Sequence, residues 1–564
     1  MTNPQDLLQK AFSAHQHGDL AQAQSLYEEI LRADPNNFHV MHLLGILAAQ
    51  LDQFATAVTW FQRTIKLKPN EPVFHTNLGN AFKSLGQLDN AINAYQKALK
   101  LDPTYAEVHN NLANVLFMLD KLAPAQEHYQ QAIQLQPHYL EAHINLGSLF
   151  LRQGNISAAI KQFLETLKLD PDNELAHWQL ATLYLAQDDL DNATTHYQKL
   201  LSLQPQHVEA LSNFGVVFLK QQNIEQALHY FQQALAIDPK HKEARSNLAA
   251  LLLQQDRLTE AAWHYHLYLQ LEPNDSQAHY NYAVAQMGLG DLADATDHLK
   301  QTLALNPHHA DAHSNLGAIF LKSGKTAEAI SHYQQALALQ PDNPAVKYML
   351  DALTGAKKTA AAPSDYIKNL FDNYAGHFDK QLTETLHYQL PTLLKQALIK
   401  YLPPQKLTIL DLGCGTGLSG QPFRELANHL VGVDLSPRML AKAAEKNIYD
   451  ELIEADILLA LQNSTAHYDL ILAADTLVYF GDLTAIFASC YKNLKPAGIL
   501  AFSTEYAEVE NYELQTSGRY CHSQTYITML AERYNFKILN SEQVVARYQQ
   551  EQPVASMIYI LQKP

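Results

Sequence analysis

Residues 409–417 read Ile-Leu-Asp-Leu-Gly-Cys-Gly-Thr-Gly. An apolar stretch, 407–412, ends in an acid and runs straight into three alternating glycines. Such a run predicts a strand buried in a parallel sheet. Gly413, Gly415 and Gly417 predict the tight turn from that strand into a helix, where a ligand can lie against bare backbone. Asp411, at the strand's end, places a carboxylate where a cationic group of that ligand would sit.

The glycine spacing alone has a competitor. Gly415-Thr-Gly417-Leu-Ser-Gly420 also fits the G-x-G-x-x-G of dinucleotide sites. There the first glycine faces a pyrophosphate, which Asp411 would repel. An ammonium-bearing ligand suits the acid better. The following strands agree. Leu430-Val-Gly-Val-Asp434 ends in an acid near the spacing that accepts ribose hydroxyls. Glu454-Ala-Asp456-Ile457 ends a third strand with a carboxylate and an apolar neighbour, a pair that can bind an adenine edge. A fourth strand, Tyr468-Asp-Leu-Ile-Leu-Ala-Ala474, leads into Asp475. A fifth follows Asn493-Leu-Lys-Pro-Ala-Gly498, and 536–547 with 556–562 predict a closing antiparallel pair.

Five such elements in this order resemble the class I S-adenosylmethionine-dependent methyltransferases, over residues 364–564. The resemblance implies an α/β Rossmann-like domain with a seven-stranded, mostly parallel sheet, and S-adenosylmethionine as cofactor. It assigns Asp411 and the turn Gly413, Cys414, Gly415 and Gly417 to the methionine end, with Cys414 a small spacer. Asp434 takes the ribose, and Asp456 and Ile457 flank the adenine. Leu435 and Met439 cover its face or belong to the core. Ala474 closes the fourth strand beside the cofactor. Tyr374 and Phe378, four apart in a helical lead-in, form a lid or anchor that helix. Between the fifth strand and a helix near Ser523 lies Ser517-Gly-Arg519-Tyr520-Cys-His522-Ser523. This stretch and the lead-in are similar to a bacterial group described as predicted methyltransferases containing tetratricopeptide repeats. Tyr520, His522 and Asp475 are the catalytic candidates, His522 as base, against a loop tied down by Arg519 and a carboxylate.

Before residue 354 the chain repeats every 34 residues. Prolines stand at 35, 69, 103 and onward to 341, and alanines at 23, 57, 91 and onward to 329. An aromatic follows each alanine by four, broken only at Leu299. A small residue recurs at Gly45, Gly79, Ala113, Gly147 and their successors. Small residues let paired helices approach, the aromatic shares the alanine's face, and the proline ends the second helix. The pattern resembles ten tetratricopeptide repeats, an all-α solenoid, over residues 1–353 with a capping helix at 344–353. Residues 354–363, small and ending in Pro363, predict a hinge before the second domain at 364–564. Asn77, Asn111, Asn145, Asn213, Asn247, Asn281 and Asn315 share one column, which the repeat resemblance puts on the concave face. They either grip an extended peptide or are simply the usual residue there. His75, His109, His143, His177, His279 and His313 form another column, one per unit. Neighbouring helices pack about 8–10 Å apart, too far for two such imidazoles to share a metal. No metal is expected, and the histidines are read as packing.

The 564 residues carry a formal charge of −17, which argues against a general nucleic-acid grip. Proteins or peptides on the repeats and small molecules remain as partners. The fourth strand is not followed by the Asn/Asp-Pro-Pro-aromatic motif of amino-methylating DNA enzymes. The three cysteines do not suggest a disulfide framework. No apolar run reaches transmembrane length, so no membrane insertion and a cytoplasmic location are expected.

Overall fold

A computed structural model describes residues 4–355, 359–376, 378–549 and 552–564. Twenty helices of thirteen or fourteen residues follow one another from Pro4–Gln16 to Thr326–Leu339, and Pro344–Thr354 closes the series. Local chemistry sets their ends. The Asp19 carboxylate accepts the Gln22 N–H at 3.1 Å, and Asn155 and Asp189 cap later second helices in the same way. At the other end Asp34 N–H returns to Ile30 O, and Pro35 then stops the helix.

Most repeats are keyed by the aromatic of their second helix; Leu299 takes its place once. Phe61 lies over Gly45, Tyr95 over Gly79 and Phe231 over Gly215, and a Cβ on Gly215 would stand 2.6 Å from the Phe231 ring. Small residues are needed because a ring, and not only a backbone, sits on them.

The histidine column does more than pack. His109 Nε2 donates to Pro103 O at 3.1 Å and His177 Nε2 to Pro171 O at 3.0 Å. That leaves Nδ1 as an acceptor, and it meets a second histidine nineteen residues on. His109 pairs with His128, His177 with His196, His279 with His298 and His313 with His332, Nδ1 to Nδ1 at 2.8–3.0 Å. The second histidine donates. Opposite His143 the slot holds Gln162, at 2.9 Å. The sequence reading counted one histidine per unit and missed these partners.

The C-terminal sheet has nine strands: β1 Leu407–Leu412, β2 Ala427–Asp434, β3 Glu451–Glu454, β4 Tyr468–Ala473, β5 Leu494–Tyr506, β6 Tyr512–Leu514, β7 Tyr520–His522, β8 Lys537–Gln549 and β9 Gln552–Gln562. β3, β2, β1, β4 and β5 run parallel in that order. β9 pairs antiparallel with β5, and β8 with β9. Both faces are covered. Leu410, Leu412, Ile471 and Phe502 pack on one side, and Ile409, Leu470, Leu472 and Ala501 on the other. This is why the strands read as continuous apolar runs. The two strands beyond the expected seven are β6 and β7. Within the segment 505–522, residues 512–522 form a hairpin, with β7 parallel to the end of β5 at Glu505 and Tyr506.

The chain divides into two compact units, Met1–Ala244 and Arg245–Pro564. The division does not fall at the composition change near 354, and a shared core explains why. Tyr333, Val346, Tyr348 and Met349 of the last repeat and closing helix form one apolar cluster with Tyr520 of β7, joined by Tyr366, Tyr512 and Leu514. The described part of the expected hinge is fastened too. Ala362 N–H donates to Tyr479 O, Gly481 N–H to Ala360 O, and Ala361 bridges Phe480. Among the described residues no helix is long and apolar enough to cross a membrane.

Burial, and then the charge of His177, lowers the His196 pKa from 6.5 to about 4. Burial likewise lowers His128, His298 and His332. Besides their paired histidines, Glu127 faces His128, and Asp294, Asp297 and His266 face His298. Between the folded and unfolded values the unfolded chain binds more protons, so stability is complete above pH 6.5 and declines as pH falls toward 4. The melting temperature should drop steadily from about pH 7 to about pH 4.5. His196→Gln, which reproduces the His143–Gln162 pairing, should flatten that slope.

Candidate active site

The strand order reverses between β1 and β4, and the turn after β1 opens at that switch point. Gly413, Gly415 and Gly417 all have left-handed backbone, with φ of 68°, 54° and 92°. Gly413 N–H and Cys414 N–H both donate to Val433 O, at 2.8 and 3.0 Å, and Gly415 N–H donates to Asp434 Oδ2 at 2.8 Å. A Cβ on Gly413 would stand 2.5 Å from the Thr476 side chain, which itself donates to Leu412 O. Cys414 is 2% exposed, and its Sγ lies 2.9 Å from where a Gly432 Cβ would be. It fills the gap between the turn and β2 and presents no surface to a ligand.

Asp411 is fully buried. Its Oδ2 accepts from Ser419 Oγ and Tyr449 Oη, each at 2.7 Å, while its Oδ1 is buried without a partner. Burial raises its pKa to about 6 against the pull of those two donors. A buried carboxylate oxygen with unused lone pairs beside an open glycine turn suits a cationic ligand group. Asp434 accepts from Ser436 N–H and Gly415 N–H, so it braces the turn and keeps lone pairs for hydroxyl donors. Burial raises its pKa as well. Asp456 caps the helix Ile457–Asn463 through Oδ1, and Ile457 is buried. Leu435 is half-buried and Ala474 buried at the end of β4. Met439 is 0% exposed inside the helix Pro437–Glu445, in keeping with the core alternative of its reading.

The lead-in lies against the turn. The Phe378 ring comes within 3.8 Å of the Cβ position on Gly415 and meets Phe371 edge-on, which in turn meets Tyr479. Asp379 accepts from Thr416 Oγ and pairs with Lys446 at 2.6 Å, and Asp372 accepts from Ser436 Oγ. The Tyr374 side chain and His377 lie outside the described residues.

Beyond β4 and β5 stands a square of four charges. Arg519 pairs with Asp475, and its Nε lies 2.7 Å from Glu505 Oε1, off the in-line direction of a hydrogen bond. Arg547 pairs with Asp475 at 3.1 Å and with Glu505 at 2.8 Å. Tyr479 Oη accepts from Arg519 at 3.3 Å. Asp475 is thus held between two guanidiniums and is no free base.

Tyr520 and His522 are also placed against the catalytic expectation. Tyr520 is fully buried, and its hydroxyl bonds Thr359 Oγ1 and donates to Thr359 O. His522 is fully buried and stacked on Tyr526. Its Nε2 donates to Phe480 O at 2.9 Å, and burial lowers its pKa to about 4. Both side chains hold the hairpin. The asparagine column is half-buried and already engaged. Asn111 Nδ2 donates to Asn80, Asn145 to Asn110, Asn281 to Tyr265 and Asn315 to Tyr280, and Asn77 pairs with His42. Asn213 and Asn247 are half-buried.

Family comparison agrees with this geometry. A family described as "Methyltransferase domain" matches residues 409–498, and repeat families described as "Tetratricopeptide repeat" or "TPR repeat" match 14–78, 79–120 and 106–139. A "Cilia and flagella-associated protein 70 C-terminal domain" family matches 136–352. Tetratricopeptide repeats precede a methyltransferase domain. The C-terminal part is similar to a malonyl-[acyl-carrier protein] O-methyltransferase of Enterobacter lignolyticus, 31% identical over 119 residues, 21% of this chain and 47% of the relative. It is similar too to a ubiquinone biosynthesis O-methyltransferase of Cereibacter sphaeroides, 31% identical over 111 residues, 18% of this chain and 43% of the relative. The chain spans about half the length of these curated relatives. The repeats align with the crystal structure of YrrB, "a TPR protein with an unusual peptide-binding site", at 23% identity and TM-score 0.31, covering 33% of this chain and 95% of that one.

Ser419, Tyr449, Thr476, Asp379, Lys446 and Arg547 also line or brace the candidate site and carry no motif in the sequence. Ser419 was visible inside the glycine turn. Tyr449 and Arg547 had no signal, since each reaches the site from a distant part of the chain. Arg547→Met should cost about 3–5 kcal/mol, because it leaves Asp475 and Glu505 under-compensated in a buried setting. Denaturant unfolding checks this.

Proposed function

We propose that the chain is an S-adenosylmethionine-dependent methyltransferase and that its repeat arm presents a protein acceptor. The observation that carries the donor assignment is Asp411 Oδ1, a buried carboxylate oxygen without a partner beside the left-handed glycine turn. Asp411 would hold the ammonium of the methionine end, with the backbone of Gly413 and Gly415 alongside. Asp434 would accept the ribose hydroxyls, and Asp456 with Ile457 and Leu435 would border the adenine. The cofactor, when bound, supplies a methyl group on a strongly electrophilic sulfonium. The chain's own task is then alignment of an acceptor lone pair. A base matters only for an acceptor protonated at neutral pH. The fused repeats support a protein acceptor. The relatives' names, both O-methyltransferases, support a second reading in which the acceptor is a small molecule and the arm serves assembly.

Asp434→Ala should abolish S-adenosylmethionine binding in a calorimetric titration; retained affinity would remove Asp434 from the site. Affinity should also rise with pH through about 6, as Asp411 loses its proton and can attract a cation. A flat profile between about pH 5 and about pH 7 would count against Asp411 as the ammonium partner. Transfer of labelled methyl from the cofactor to lysate components separates the acceptor classes. A labelled protein band supports recruitment by the arm, a labelled soluble product supports the small-molecule reading, and no label at all leaves a binding scaffold.

A further inference from the structure

The hairpin of β6 and β7 has two faces with different owners. Gly518 and Arg519 form the turn that leads into β7, and Tyr520 is its first residue. Arg519 enters the charge square with Asp475, Glu505 and Arg547, at the carboxyl ends of β4 and β5. Its two neighbours are held by the repeat array. Gly518 O accepts from Tyr348 Oη at 2.8 Å, and Tyr348 belongs to the closing helix Pro344–Thr354. The Tyr520 ring lies 6.4 Å from the Tyr348 ring, in the same apolar cluster as Met349 and Tyr333. The fit at Gly518 is close. Its φ is +76°, and a Cβ there would stand 2.8 Å from Tyr366 Oη and 3.1 Å from Met349 Sδ. Gln515 N–H to Arg519 O and Gly518 N–H to Gln515 O close the turn, so the carbonyl of Gly518 and the side chain of Arg519 move together.

We infer that the end of the repeat array is a built part of the acceptor end of the methyltransferase site, with Tyr348 a positioning residue that acts on Arg519 through Gly518. The inference rests on the methyltransferase reading above and extends it. The arm is then more than a carrier of partners. Its last helix sets where a charged group stands at the carboxyl ends of β4 and β5. A hydrogen bond to a backbone carbonyl and a ring wedge do this, and neither touches the donor pocket of Asp411 and Asp434.

The test uses the full chain with Tyr348→Phe, which keeps the ring and removes the hydrogen bond, and Tyr348→Ala, which removes both. Three quantities are read: amide hydrogen exchange over residues 512–522, the calorimetric Kd for S-adenosylmethionine, and the rate of labelled methyl transfer from that cofactor to a lysate. Tyr348→Ala should raise exchange in the hairpin and slow transfer by about tenfold or more, while Kd for the cofactor stays within about twofold. Tyr348→Phe should fall between Ala and the parent chain in both, a partial rescue by the retained ring. Unchanged exchange in Tyr348→Ala overturns the link to the hairpin. Faster exchange with unchanged transfer overturns the positioning role, and an equal loss of cofactor affinity assigns Tyr348 to general stability instead. Absence of cofactor binding in the parent chain would defeat the donor-site reading alone. The exchange measurement needs no acceptor and decides the Tyr348 link even where no labelled product forms.

Discussion

Three glycines with left-handed backbone let β1 end, turn and leave room above its own carboxyl end, and the rest of the site is arranged around them. A side chain at Gly413 would collide with Thr476, and β-carbons disfavour this backbone. The turn is then locked from below. Two of its amides share Val433 O and a third takes Asp434 Oδ2. Asp434 therefore has two tasks, bracing the turn and offering its remaining lone pairs. Asp411 sits one layer deeper, where Ser419 and Tyr449 satisfy one oxygen and leave the other. The price of burying that carboxylate appears as its pKa, raised to about 6 by desolvation.

The repeat array obeys a different constraint, periodicity. Every 34 residues an aromatic, replaced once by Leu299, recurs with a small residue, and a proline closes the second helix. The histidine pairs show how such a lattice solves its polar problems. At several turns a prolyl carbonyl is capped by His Nε2, and in His109 and His177 Nδ1 is then satisfied by a partner nineteen residues on. Gln162 performs the same role opposite His143. A single proton lies between the two Nδ1 atoms of each pair, and a second proton there would break the bond, which makes these contacts sensitive to acid.

Where the two architectures meet, the chemistry of the join differs from what small residues suggest. Residues 354–363 look like a spacer because alanine and proline carry no packing information. In the fold the backbone of their described part is used instead, with Ala360, Ala361 and Ala362 bonded beside Tyr479 and Phe480. Of the aromatic residues that seal the join, Tyr348, Tyr366 and Tyr512 read locally as ordinary helix or loop residues, Tyr333 as a repeat aromatic and Tyr520 as a catalytic candidate. Only their convergence gives them a role, and it moves Tyr520 from catalysis to architecture.

By itself the sequence determined the elements whose signals are local. These are the 34-residue helical period, the buried parallel strands, the glycine turn with its flanking acids, and a fold class of repeats followed by an α/β methyltransferase domain. Each depends on residues close together in the chain, so spacing carries the information. Tertiary structure alone decided which side chains face the site. Tyr449 reaches Asp411 across 38 positions and Arg547 reaches Asp475 across 72. It also decided that Met439 is core, that His522 is enclosed, and that the closing helix of the repeats holds the hairpin beside β5. Those outcomes follow from burial and from pairings between distant segments, which no local pattern encodes.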